Sequence, residues 1–177
     1  MADLNDVSFV MPVLNEQDYL AIAVESVLSQ KTPGKAQLVL ALGPSTDETN
    51  KIAESLAKKY KNLILVENPT GSTATGLNLA IEKSSYETVI RVDAHSELSD
   101  NYAASAVKIL NTTGAANVGG MMIAKGRTAL QKAVAFGYNS RFGLGGGSFH
   151  VGGNPGPADT VYLGCFRKSI ITELGLY

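Results

Sequence analysis

Asp93 and His95 are the side chains whose chemistry and spacing point beyond packing. They follow Thr88-Val89-Ile90-Arg91-Val92, a β-branched run that reads as a strand. Residues two apart on a strand share a face, so Arg91, Asp93 and, if the strand continues, His95 point the same way. A carboxylate and an imidazole so placed at a strand's C-terminal end can grip one divalent cation between them. Open α/β sheets bind their ligands beyond those ends. A plainer role fits the same residues: a strand that ends in a turn, with Asp93 and Ser96 capping the next helix. Two ligands are too few to specify a metal site, so spacing alone leaves both readings standing.

The elements that must position this stretch can be read from apolar periodicity. Val7 to Leu14 is nearly continuous apolar sequence, as in a strand buried on both faces. Pro12 is then expected at that strand's end or at a bulge, because it cannot donate to a ladder. A helix follows, with Tyr19, Leu20, Ile22, Ala23, Val27 and Leu28 at helical spacing. Gln37–Leu42 and Leu63–Glu67 read as further strands, and Asp47–Tyr60 as a helix with Ile52, Leu56 and Ala57 on one face. Gly71–Lys83 reads as a loop and helix burying Leu77, Ala80 and Ile81. Beyond the Asp93 stretch come a helix at Tyr102–Leu110, a strand at Val118–Ala124 and a helix at Ala129–Tyr138. A strand at Thr160–Phe166 and a helix at Ser169–Leu174 close the chain. Strand and helix alternating four times argue for a parallel sheet with right-handed crossovers. Between Phe142 and Ala158 lie about 17 residues rich in glycine and proline without periodicity, a loop length that is usually functional or mobile.

Several chemistries are excluded. The first strand runs into Asn15-Glu16-Gln17-Asp18, with no glycine to admit a pyrophosphate, so a nicotinamide cofactor is disfavoured. No phosphate-loop motif is present. His95 and His150 are the only histidines, and no Ser-His-carboxylate set is specific; His150 is expected to be solvent-exposed and uninvolved. A net charge of −1 offers no polybasic surface for nucleic acid. The single cysteine, Cys165, sits in an apolar strand and reads as core packing, in keeping with a reducing compartment. No apolar run approaches the ~20 residues of a membrane span, and the N-terminus lacks a signal-peptide pattern, so a cytoplasmic protein is expected.

The motifs taken together resemble family 2 glycosyltransferases of the GT-A fold, over roughly Val7 to Tyr177. Val10-Met-Pro-Val-Leu-Asn-Glu16 is similar to the family's first strand, which ends Pro-x-x-Asn-Glu. Ser45-Thr46-Asp47 resembles the tail of its Asp-Asp-Gly-Ser-Thr-Asp motif, and Asn68 to Ile81 the segment that carries a helix asparagine, here Asn78. Asp93-Ala94-His95 stands in the place of the family's Asp-x-Asp. Val92-Asp-Ala-His95 and Val161-Tyr-Leu-Gly-Cys-Phe-Arg167 are similar to succinoglycan-biosynthesis-type enzymes of bacterial surface polysaccharide.

The resemblance implies an α/β GT-A fold, with a Rossmann-like, mostly parallel sheet flanked by helices. It implies one domain over 1–177, with a nucleotide-sugar-binding part at about 1–100 and the start of an acceptor-side part at about 101–177. It also implies a nucleotide-diphosphate sugar donor, a glycan or lipid-linked acceptor, and Mn2+ or Mg2+, with Asp93 and His95 facing the metal. The imidazole should favour Mn2+. Pro12, Asn15, Glu16, Asp47, Asn78, Arg91 and Asp93 are the implied donor contacts. Four of them have a plainer alternative: Glu16 as a first-turn residue at a helix dipole, Asp47 as an N-cap, Asn78 as a partner of neighbouring backbone, and Arg91 in a salt bridge rather than on phosphate.

The departures carry consequences too. The family's acidic pair is Leu42-Gly43 here, its following glycine is Pro44, and its arginine before the helix asparagine is Leu77. A weaker donor grip, or a donor other than a UDP-sugar, follows. Inverting transfer needs a carboxylate base, and the family's base motif falls just past the position of Gly175-Leu-Tyr177. The chain is therefore expected to be a C-terminally truncated, donor-binding piece of a longer enzyme, one that acts at the inner face of a membrane. Asp159 is the remaining acidic candidate for acceptor or metal contact, since Glu173 reads as a solvated helix residue. A non-catalytic nucleotide-sugar or glycan-binding module is the alternative. A sugar-1-phosphate nucleotidyltransferase would need a glycine-rich basic loop where Asn15-Glu16-Gln17-Asp18 stands.

Overall fold

The apolar run at Val7–Val13 forms β1, buried on both faces because it is the central strand of a parallel array. A computed structural model of the chain describes residues 4–143, 152 and 154–177. The remaining elements are α1 (Leu20–Leu28), β2 (Ala36–Leu42), α2 (Thr49–Lys59), β3 (Leu63–Glu67), α3 (Thr73–Lys83) and β4 (Thr88–Arg91). They continue with α4 (Tyr102–Thr113), β5 (Asn117–Gly120), α5 (Ala129–Tyr138), β6 (Tyr162–Arg167) and α6 (Lys168–Glu173). The sheet order is β3-β2-β1-β4-β6-β5. β1 pairs in parallel with both β2 and β4, β2 pairs in parallel with β3, and β6 runs antiparallel to β4.

This order sends the chain outward from β1 through β2 and β3, then back to the other side of β1 as β4. The connections therefore diverge between the C-terminal ends of β1 and β4, where an α/β sheet opens a crevice for ligand.

Two compact units are present. The first holds the described residues up to Val118 together with Cys165–Tyr177. Its core joins Val10, Val39, Ala41 and Val89 of the sheet to Leu77, Ala80 and Ile81 of α3. Gly76 lets α3 lie close to the sheet, since a Cβ there would stand 2.8 Å from Asn68 Nδ2 and 3.2 Å from Pro12 Cβ. The face of α1 that is buried consists of Leu20, Ala23, Val24 and Val27. Ile22, expected in that stripe, is 42% exposed, because it lies off the i, i+3, i+4, i+7 row that meets the sheet.

The second unit lies within Gly119–Gly164. Its α5 opens with a capping box, in which Gln131 N–H donates to Thr128 Oγ1 and Gln131 Oε1 accepts from Thr128 N–H. The strand expected at Val118–Ala124 stops at Gly120. Beyond it the backbone of Ala124 is taken up by Asn139, whose side chain exchanges two 2.9 Å hydrogen bonds with it.

Candidate functional site

Pro12 explains why the crevice opens where it does. Val92 N–H donates to Val10 O at 2.9 Å, and Gly43 N–H donates to Val13 O at 2.8 Å. Along a parallel strand the backbone polar groups of alternate residues face alternate neighbours. Val10 and Pro12 therefore face β4, and Val13 faces β2. The β1–β4 register ends at Val10↔Arg91, so the donor that Pro12 lacks falls where no partner strand remains. The expectation of a strand end holds toward β4. Toward β2, Pro12 instead lies inside the ladder, opposite Ala41.

The loop after β1 is clasped to the loop after β2. Asn15 adopts φ 55, a left-handed conformation that asparagine tolerates. Its N–H donates to Ser45 Oγ at 3.0 Å, and its Oδ1 accepts from Thr46 N–H at 2.8 Å. Glu16 N–H donates to Thr49 Oγ1 at 2.7 Å, and Gln17 N–H to Asp47 Oδ2 at 3.3 Å. Asp47 Oδ1 accepts from Thr49 N–H at 3.0 Å in a turn just ahead of α2, whose N-cap is Glu48 and not Asp47 as the plainer reading expected. The Thr49 side chain, with backbone N–H groups of Thr49 and Gln17, holds the Asp47 carboxyl below its ordinary range. Gly43 completes the wall, since a Cβ there would meet Leu14 Cδ1 at 3.0 Å and Val13 O at 3.1 Å. A larger residue at the family's acidic position would push these loops apart.

On the other side of the crevice β4 ends at Arg91, one residue earlier than expected, and Ser96 N–H closes a turn onto Asp93 O at 2.9 Å. Burial nevertheless keeps a two-residue period: Val92, Ala94, Ser96 and Leu98 are buried, while Arg91, Asp93 and His95 face outward. The three side chains share a side even though His95 is in a turn and not a strand. Arg91 directs Nε and Nη2 onto Asp93 Oδ1 at 3.2 and 3.1 Å. His95 Nδ1 stands 2.8 Å from Glu16 Oε1. Among the described residues these pairings leave Asp93 Oδ2 and His95 Nε2 as the open donor atoms.

Together they line a cleft of about 330 Å³ with Pro12, Leu14, Glu16, Asn68, Gly71 and Thr73. A neighbouring cleft of about 360 Å³, over the ends of β2 and β3, is lined by Glu54, Glu67, Asn50 and Asn68. It carries two carboxylates and no cationic side chain, which repels a diphosphate. The β1–β4 cleft also carries two carboxylates, Glu16 and Asp93, but sets the Arg91 guanidinium among them, so it repels an anion less.

Of the residues expected from sequence, Pro12, Glu16, Arg91, Asp93 and His95 come together at this cleft. Asn15 and Asp47 build the loop clasp that walls it. Asn78 is not among the lining residues. Its side chain pairs with the backbone of Tyr177, donating to Tyr177 O at 3.1 Å and accepting from Tyr177 N–H at 3.0 Å. Asp159 is exposed and belongs to the second unit. His150 and residues 144–151 of the glycine-rich loop lie outside the described residues. Cys165 is fully buried, and burial pushes its thiol up to about 12. Asn68, Gly71 and Thr73 were not singled out from the sequence. The signal for them was Asn68-Pro69, which closes β3 and aims the following turn at the cleft.

Among the described residues no three His, Cys, Asp or Glu side chains gather as a metal-binding group. None of the described helices is long and apolar enough to cross a membrane.

Comparison with known proteins agrees with this architecture. The family model for Glycosyl transferase family 2 matches residues 8–167. The succinoglycan biosynthesis protein ExoA of Rhizobium meliloti (strain 1021) is 34% identical over 145 residues, which are 81% of this chain and 44% of that protein. S. aureus TarS 1–349 superposes with a TM-score of 0.72 at 18% identity, over 97% of this chain and 50% of that one. The mannosyltransferase PcManGT from Pyrobaculum calidifontis, in complex with GDP-Man and Mn2+, gives 0.71 at 20% identity, over 97% and 47%. The chain thus spans about half the length of these relatives or less, and the structural likenesses show the GT-A fold expected from its motifs. With the motifs in order, the sheet as expected and the family model covering all but the ends, this chain belongs to glycosyltransferase family 2.

Proposed function

We propose that this chain holds the donor site of an enzyme that moves a sugar from a nucleotide-diphosphate donor to a glycan or lipid-linked acceptor, in bacterial surface polysaccharide synthesis, with a divalent cation and inversion at the anomeric carbon. The observation that carries the reading is the convergence of Arg91, Asp93 and His95 on one cleft between the ends of β1 and β4. Supporting it, PcManGT was solved with GDP-Man and Mn2+, and S. aureus TarS 1–349 with UDP and with UDP-GlcNAc.

The residues present fit a cation in donor type and number. One carboxylate oxygen and one imidazole nitrogen are open, and Mg2+ and Mn2+ in phosphate sites take one or two protein ligands and complete their shell with water and phosphate oxygens. Asp93 Oδ2 and His95 Nε2 would hold the ion, with the nitrogen ligand favouring Mn2+. A bound cation supplies charge neutralisation at the diphosphate as it leaves. The chain's own residues do the rest. Arg91 orients Asp93 and adds positive charge beside the diphosphate, while Pro12 and Glu16 border the nucleotide. Asn15 and Asp47 keep the loop beneath it in shape. Asp159 is our candidate for the acceptor side, where a carboxylate must take the proton of the attacking hydroxyl.

Thermal unfolding with UDP or GDP, with and without Mn2+, tests this reading. Diphosphate at about 100 times its Kd should stabilise the chain by about 2.7 kcal/mol, and only when Mn2+ is present. Equal stabilisation of Asp93→Ala would remove the site from consideration.

A further inference from the structure

We propose that Glu16 is a positioning residue for His95: it takes the Nδ1 hydrogen and so presents Nε2, with its lone pair, to the cation. The inference rests on the proposed donor site and assigns Glu16 a task that nucleotide contact alone does not describe.

The geometry is specific. Glu16 Oε1 lies 2.8 Å from His95 Nδ1 across 79 residues of sequence. An ionised carboxylate only accepts hydrogen bonds, so the facing nitrogen must be the one that bears hydrogen. In a neutral ring the other nitrogen then carries the free pair, and the tautomer is set by the partner rather than by the histidine. The two partners differ in freedom. The Glu16 side chain is 19% exposed and that of His95 59% exposed, so the carboxylate is the fixed member and the imidazole the one being steered.

The backbone of Glu16 is pinned on both sides. Its N–H donates to Thr49 Oγ1 at 2.7 Å, and its carbonyl accepts from Tyr19 N–H at 3.1 Å and Leu20 N–H at 2.9 Å. Asn15 before it is held by Ser45 and Thr46. The clasp between the β1 and β2 loops thus aims Glu16 across the crevice at the turn after β4. The two open donors are supported in parallel, Asp93 by Arg91 at the end of β4 just before it and His95 by Glu16 from the opposite wall. Carboxylates placed behind a ligating imidazole fix ring orientation and raise its basicity, and their loss typically weakens metal binding 10–100-fold.

The test uses the 177-residue chain with Mn2+ and either UDP or GDP. Free Mn2+ is read by electron paramagnetic resonance, and the His95 tautomer by 15N chemical shifts at alkaline pH without metal. Glu16→Ala is expected to bind Mn2+ about 10–100-fold more weakly and to lose the single Nδ1–H form. Glu16→Gln keeps an acceptor oxygen and should restore the tautomer and most of the affinity. Because only side-chain atoms change, the backbone bonds of residue 16 persist, and circular dichroism confirms the fold of each variant. Wild-type chain that retains no Mn2+ with either diphosphate would overturn the donor-site reading and this inference with it. Wild type that retains Mn2+ while Glu16→Ala matches it, or weakens with the tautomer unchanged, overturns the inference alone.

Discussion

Replacing Thr49 by valine isolates one hydroxyl at the root of the site. Thr49 is fully buried, and its Oγ1 receives the Glu16 N–H at 2.7 Å. Valine matches its shape, so no cavity forms and the change removes only the hydroxyl, which accepts from Glu16 N–H and also bonds the Asp47 carboxyl. A buried N–H left without a partner costs about 1–3 kcal/mol. The bond is only partly buried, which places the expected loss in the lower half of that range, about 1–2 kcal/mol. For a domain of this size that corresponds to a fall in Tm of about 2–8 °C. Urea unfolding followed by circular dichroism should show a lower midpoint with an unchanged slope. A second readout comes from Asp47, whose carboxyl is held down first of all by the Thr49 side chain. In Thr49→Val the folded Asp47 carboxyl moves back toward its ordinary value, so the loss of stability on acidification below 3.8 should be smaller than in wild type. If Thr49→Val stays within about 0.5 kcal/mol of wild type, as a neutral surface change does, and keeps the same acid limb, the loop clasp does not hold the site in place.

Two further outcomes are expected. Asp47 has a folded-state pKa below its ordinary 3.8, so its contribution is present above that value and is lost as pH falls through the folded one. Asp47→Asn should therefore flatten the fall of Tm with pH below 3.8 and lower stability at neutral pH; a Tm curve parallel to wild type at all pH values counts against its role in the loop clasp. Cys165, buried with its thiol pushed up to about 12, should be inert to a thiol reagent at pH 8 and react in step with denaturant-induced unfolding. Stoichiometric labelling of the native chain would contradict its place in the core.

Local patterns in the sequence carried the elements further than the contacts between them. β3 and α5 have the bounds that apolar runs and turn residues mark, and α3 buries Leu77, Ala80 and Ile81 as its spacing demands. The strand-end location of Asp93 was legible because a β-branched run stops there. The Glu16–His95 contact was not, because it depends on β4 lying beside β1 rather than beside β3, and no local pattern encodes that adjacency. The backbone partner of Asn78 was hidden for the same reason, since it is Tyr177, 99 residues away in sequence. Asp47 and Asn15 matched family motifs and also do local work, since short polar side chains beside backbone N–H groups satisfy loops before they reach any ligand. Gly43 read as a lost carboxylate, whereas a Cβ there would already press on Leu14 and the Val13 carbonyl, so a side chain fits only if these neighbours shift by a few tenths of an ångström.

The second unit leaves the sheet after Val118, in β5, and returns at Cys165, in β6. Both ends of that excursion are anchored in strands, and β1, β2, β3 and β4 complete their mutual pairing without it. Such an arrangement works as a cassette: residues inserted or removed inside the excursion leave untouched the strand pairing that sets Glu16 opposite His95.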